Sequence, residues 1–161
     1  MDSSQKCKIY NTVIIKKDLF KEDKIGLFAP DGVEFIYNVL ENLGYYKDFS
    51  KNFTTEEARS HGLQSIEILC DLELIEIFSW GIHIPKISKR DFSKRELIEY
   101  LREVWFVGAS TQDFYSMPMI KYKDWYLKAL EEKGLTHTTH WKTFVKEEIG
   151  DLEQWIEEVR P

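Results

Sequence analysis

Apolar residues recur at intervals of three and four along much of this chain, and this spacing places them on one face of an α-helix. The first clear stretch covers residues 33–43, and Gly44 follows it, as glycine commonly does at the C-terminus of a helix. A half-buried strand would need a period of two instead. The spacing therefore predicts a mainly α fold.

Two of the predicted helices begin at a capping box, in which a hydroxyl side chain is followed three residues later by glutamate. Thr54 and Glu57 have this spacing, and so have Ser93 and Glu96. An apolar stripe follows each pair. These two positions are therefore predicted helix N-termini.

Two further apolar stripes extend the helical pattern into the second half of the chain. One covers residues 122–130 ahead of Gly134, and the other covers residues 141–159, with a break predicted at Gly150-Asp151. Residues 109–118 between the stripes are expected to form an irregular loop that carries aromatic side chains.

Two segments have some strand character. Residues 9–15 are rich in β-branched and aromatic side chains, although their continuation 16–20 also suits a short helix. Within residues 72–84 the pattern fits either a buried helix continuing to Phe78 or a strand or hairpin around Ser79-Trp80-Gly81. We favour a helix followed by a short β-element here.

The length of 161 residues suits one domain with its own core, and 43% hydrophobic with 31% charged residues is typical of a folded protein. We expect a compact, helical-bundle-like single domain over residues 1–161, mainly α with a minor β-hairpin or small sheet. Aromatic residues make up 14%, which is high, so some rings are expected to face a partner.

Cysteine usage and the lack of long apolar runs indicate the compartment. Cys7 and Cys70 are isolated and form neither a disulfide framework nor a zinc pattern. The N-terminus has no apolar signal region, and no run of about 18 apolar residues occurs in the sequence. We therefore expect a cytoplasmic protein with no membrane-spanning segment.

The sequence holds no motif for a known chemistry. Its glycines form no nucleotide-binding loop, and no Gly-x-Ser-x-Gly elbow is present. His137 and His140 lie three apart, but no third metal ligand has a matching spacing. We predict no catalytic residue, no metal and no cofactor. An enzyme of unfamiliar type would have to use His83, His137 or His140 with Asp113 or Tyr115.

Charge is unevenly distributed in a chain whose net charge is -6. Acidic residues concentrate in residues 51–78 and 147–161, whereas residues 86–102 are predominantly basic. An acidic protein of this kind is suited to a cationic partner and poorly suited to a nucleic-acid backbone or an anionic membrane.

The basic stretch supports one alternative function. A helix that starts with basic residues, after another helix and a β-wing, resembles the layout of winged-helix DNA binders. On this alternative, residues 54–105 form a nucleic-acid-binding or transcription-associated module. The residues in contact with nucleic acid are then Lys89, Arg90, Lys94 and Arg95. The net negative charge disfavours this alternative.

The main hypothesis is a non-enzymatic protein-binding module. Small, acidic, cytoplasmic proteins without catalytic groups include bacterial immunity and antitoxin-type proteins, which act as toxin inhibitors. Negative charge steers such a protein onto a basic partner, while tyrosine and tryptophan supply anchors. The side chains expected to contact the partner are Glu73, Glu76, Trp80, Tyr115, Glu153, Trp155 and Glu157.

Overall fold

The structure is a computed structural model that describes residues 13–45, 54–79, 81 and 93–161. The described elements are, in chain order, α1 (Lys16–Leu19), a 3₁₀ turn (Ile25–Phe28), α2 (Ile36–Asn42), α3 (Glu56–Asp71), β1 (Ile75–Ser79), α4 (Lys94–Val104), α5 (Thr111–Phe114), β2 (Met119–Tyr122), α6 (Asp124–Glu132), α7 (Trp141–Phe144), a π-helical turn (Val145–Ile149) and α8 (Leu152–Val159). The predicted fold class, mainly α with a small sheet, is confirmed. None of the described helices is long and apolar enough to cross a bilayer.

The predicted N-cap residue is confirmed for α4, whereas the N-cap of α3 lies one residue later than predicted. The Ser93 hydroxyl accepts from the Glu96 N–H at 3.1 Å, and the Glu96 carboxylate accepts from the Ser93 N–H at 3.2 Å. The N-cap of α3 is Thr55, whose hydroxyl accepts a backbone N–H of the first turn. Thr54 is buried instead, and its hydroxyl donates to the Ala109 carbonyl at 2.8 Å.

In the second half of the chain, the predicted helix end at Gly134 and the predicted break at Gly150-Asp151 agree with the structure. Gly150 has a φ of 85° and separates the π-helical turn from α8, which is capped by Asp151. The expected loop 109–118 is wrong in part, because it contains the short helix α5. The helix predicted from residue 122 begins only at Asp124, since Tyr122 belongs to β2.

The sheet pairs β1 with β2 in antiparallel register, with Ile75 opposite Tyr122 and Ile77 opposite Ile120. The strand interpretation is therefore right for residues 75–79, and the continued helix is wrong. Any pairing of residues 82–84 lies outside the described residues.

The N-terminal prediction is tested only at its end. Residues 9–12 lie outside the described residues, and residues 13–15 have no regular secondary structure. The helix α1 begins at Lys16, so the alternative of a short helix over residues 16–20 is confirmed.

One cluster of buried apolar side chains runs from Leu19 to Ile156. Trp105, directly after α4, is 1% exposed and packs against Gly62 of α3. A Cβ at Gly62 would lie 2.4 Å from the Trp105 ring, so this glycine lets the two helices approach. The tertiary contact thus explains a residue that helix propensity alone disfavours.

Two buried tyrosines join β2 and α6 to the N-terminal third of the chain. The Tyr126 hydroxyl donates to the Phe28 carbonyl at 2.6 Å, and the Tyr122 hydroxyl donates to the Leu27 carbonyl. Burial raises the pKa of both phenols well above the usual value. Both therefore serve as neutral donors to the 3₁₀ turn.

Candidate protein-binding surface

The predicted acidic residues of α8 are paired within the chain. Lys16 of α1 lies 3.5 Å from the Glu153 carboxylate and 3.9 Å from that of Glu157. Glu157 also pairs with Arg160 at 3.0 Å. Their negative charge is thus partly compensated before any partner arrives.

The structure does not place Trp155 on the surface. Its side chain is 7% exposed, and its ring centroid lies 6.4 Å from that of Tyr126. The apolar face of α8 packs onto the core, as amphipathic helices usually do. Trp155 is therefore a core residue, and we do not retain it as an anchor.

The acidic residues after α3 differ from each other. Glu76 of β1 pairs with Lys121 of β2 across the sheet at 3.1 Å. Glu73 is exposed and makes no ion pair with another described residue. Its φ is 59°, which lies in the left-handed region that residues other than glycine rarely adopt.

Two residues of the nucleic-acid alternative form ion pairs with carboxylates of the same chain. Lys94 lies 2.8 Å from Asp71, and the hydrogen bond to this carboxylate raises the lysine pKa. Arg95 pairs with Glu99 at 2.9 Å, and that hydrogen bond raises its pKa as well. These pairings weaken the alternative. Lys89, Arg90 and the predicted anchor Trp80 lie outside the described residues.

Tyr115 belongs to a cluster of partly exposed rings, which we call the aromatic patch (Phe35, Tyr37 and Tyr115). The rings of Phe35 and Tyr37 stack with an angle of 9° and a centroid distance of 5.3 Å. The Tyr115 ring stands edge-on to both, at 5.2 Å from Phe35 and 5.9 Å from Tyr37. Tyr115 is 55% exposed. The structure thus brings together one predicted anchor and two aromatic residues that were not predicted.

The backbone under the aromatic patch is held from two sides. The Asn38 side chain accepts the Phe35 N–H at 2.8 Å at the start of α2. The Ile120 N–H of β2 donates to the Glu34 carbonyl at 3.0 Å. These bonds hold the α2 N-terminus against the sheet.

A buried ring connects the aromatic patch to the core. Phe114 of α5 is 1% exposed, and its ring centroid lies 6.3 Å from Tyr37 and 5.7 Å from Trp105. Tyr115 follows Phe114 directly as the C-cap residue of α5. The aromatic patch is therefore supported by the core.

Two carboxylates flank the aromatic patch. Burial raises the pKa of Tyr37, and the hydrogen bond to Tyr115 and the charges of Glu34 and Glu41 raise it further. Glu34 and Glu41 are exposed, and neither forms an ion pair within the part of the chain that the structure describes. The patch is thus an aromatic surface in a negative field.

A signal for the missed rings was present in the sequence. Phe35 and Tyr37 stand on either side of Ile36, which is one position of the apolar stripe within residues 33–43. They do not belong to that stripe. Both side chains are partly exposed in the structure and are not fully buried like the members of the stripe. Only the fold, however, shows that Tyr115 joins them.

Further cavities are lined by described residues. One is an open groove of about 870 Å³, lined by Leu127 and Leu135 with Asp124, Glu131 and His137. No group of three or more potential metal-ligating side chains occurs among the described residues. His140 caps α7, with its ring nitrogen 3.4 Å from the Thr143 N–H.

A smaller cavity, about 300 Å³, contains the one close histidine–tyrosine pair found in the described ranges. Tyr45 and His61 share a hydrogen bond there, and burial raises the pKa of Tyr45 to about 12. A phenol with this pKa is protonated at neutral pH and is a poor nucleophile.

Comparison of the chain with protein-family models, curated proteins and solved structures finds no match.

Proposed function

We propose that this chain is a non-enzymatic protein-binding module that neutralises a basic partner, as bacterial immunity and antitoxin-type proteins neutralise toxin domains in the cytoplasm. The observation that carries the proposal is the aromatic patch with Glu34 and Glu41 beside it. Aromatic anchors backed by a core provide contact area without a large loss of side-chain entropy. The carboxylates of Glu34 and Glu41, which pair with no lysine or arginine of the described residues, supply charge complementarity to a basic surface.

Glu73 supports a second acidic contact. Its carboxylate is exposed, and its backbone adopts a conformation in which glycine would be less strained. Strained residues of this kind concentrate at functional positions. Glu76, Glu153 and Glu157 are weaker candidates because each is paired with a lysine of the same chain.

The test is inhibition and capture of one defined partner, the protein encoded by the adjacent gene in the genome of origin. The two proteins are co-expressed, purified together, and their affinity is measured at low and high salt. We expect a complex that weakens with salt, because exposed charges are screened. We also expect this chain to suppress the partner's toxicity.

Charge-reversed variants locate the surface. Glu34→Lys with Glu41→Lys should weaken the complex roughly tenfold or more, as loss of a hot spot does. Glu131→Lys with Glu132→Lys on α6 changes the net charge equally and should have a much smaller effect. The proposal is wrong if the partner is neither bound nor inhibited. It is also wrong if neither added salt nor charge reversal changes the affinity.

A further inference from the structure

We infer that the aromatic patch receives an arginine side chain of the partner, whose guanidinium stacks on the partly exposed rings while Glu34 and Glu41 neutralise its charge. This inference rests on the proposed function and adds the chemistry of the anchor. A guanidinium over an aromatic face is attracted by the negative face of the ring.

The ring geometry is already arranged for such a ligand. Phe35 and Tyr37 are nearly parallel, and Tyr115 stands across both at 88° and 86°. The rings hold one another in place, and Tyr115 leaves 55% of its surface exposed to solvent. A side chain that docks there meets a rigid surface, so little entropy is lost on the receiving side.

The local field also favours a cation. Burial is the main cause of the raised pKa of Tyr37, and the negative charges of Glu34 and Glu41 nearby act in the same direction. The same field stabilises a positive group placed beside this ring. The ion pairs of the described lysines and arginines are made with other carboxylates. Both Glu34 and Glu41 are thus available to a partner.

Arginine fits this surface better than lysine. Its guanidinium is planar and weakly hydrated, so it stacks on a ring and still donates hydrogen bonds to a carboxylate. A lysine ammonium is compact and strongly hydrated, and it loses more solvation at an aromatic surface. The aromatic patch next to two carboxylates therefore suits arginine better than lysine.

The probe is a capped tetra-arginine peptide, compared with tetralysine and with tetracitrulline, which has the shape of arginine without its charge. Affinity is measured by calorimetry, and contact is followed through the ring-proton resonances of Tyr37 and Tyr115 in the wild-type protein. We expect the arginine peptide to bind most tightly and to shift these resonances. The citrulline peptide should leave them unchanged.

Matched variants test the rings and the charges separately. Tyr115→Leu should weaken arginine-peptide binding roughly three- to tenfold. Phe106→Leu, at a ring that is 50% exposed elsewhere, should not. Glu34→Gln with Glu41→Gln should weaken binding, while Glu131→Gln with Glu132→Gln should have little effect. Thermal unfolding confirms that each variant is folded.

The inference is overturned if the lysine or citrulline peptide binds as tightly as the arginine peptide, if the ring resonances do not move, or if the control variants weaken binding equally. Its failure is distinct from failure of the proposed function. Capture and inhibition of the partner without arginine preference would remove this inference alone. Arginine preference in a protein that does not inhibit its genomic neighbour would remove the proposed function alone.

Discussion

Replacement of Glu73 by glycine is expected to stabilise the protein. Glu73 is the one non-glycine residue with positive φ among those described, and it follows the C-terminus of α3. Its N–H donates to the Cys70 carbonyl at 2.9 Å, and the Leu74 N–H donates to the Leu69 carbonyl at 3.1 Å. This pair of bonds is the Schellman motif, in which the position of Glu73 is usually glycine.

The magnitude follows from two opposing effects. A side chain in the left-handed region costs about 1–2 kcal/mol, and glycine removes that cost. Glycine also makes the unfolded chain more flexible, which offsets about 0.5–1 kcal/mol. The Glu73 carbonyl, which accepts from the Trp125 indole N–H at 2.9 Å, is unchanged by the substitution. For the midpoints of these two ranges, the expected net gain in the free energy of unfolding is about 0.8 kcal/mol. A gain of 1 kcal/mol corresponds to about 2–4 °C in Tm.

The assay is urea unfolding of wild type, Glu73→Gly and Glu73→Ala, followed by circular dichroism and tryptophan fluorescence. Alanine keeps the Cβ and removes the carboxylate, so its free energy of unfolding should stay near that of wild type. The reasoning is refuted if the glycine variant is no more stable than the alanine variant. In that case backbone strain at this turn is not what limits stability.

Three further substitutions or measurements test the packing. Gly62→Ala should lower the free energy of unfolding by about 1–3 kcal/mol, because its Cβ would overlap the Trp105 ring; a more stable variant in urea would contradict this contact. Tyr126→Phe should cost about 1–2 kcal/mol, because the buried Phe28 carbonyl loses its donor; an unchanged unfolding curve would show that another donor replaces it. Burial raises the pKa of the Cys70 thiol to about 12, so in a variant without the other cysteine it should react with a thiol reagent far more slowly in the folded protein than in urea. Equal reaction rates would argue against this burial.

The sequence by itself determined the helical class and several helix ends. The Ser93 capping box and the break at Gly150 are local features, because their hydrogen bonds and φ angles involve only neighbouring residues. Local chemistry is sufficient for such features.

Tertiary structure decided which side chains are core and which are surface. Trp155 shares the acidic tail helix with Glu157, yet packing of α8 buries it. Strand β1 was ambiguous because its partner β2 lies far along the chain, so its pairing cannot be read from local periodicity. The aromatic patch has the same origin: Phe35 and Tyr37 meet Tyr115 only because the sheet and α5 bring distant segments together.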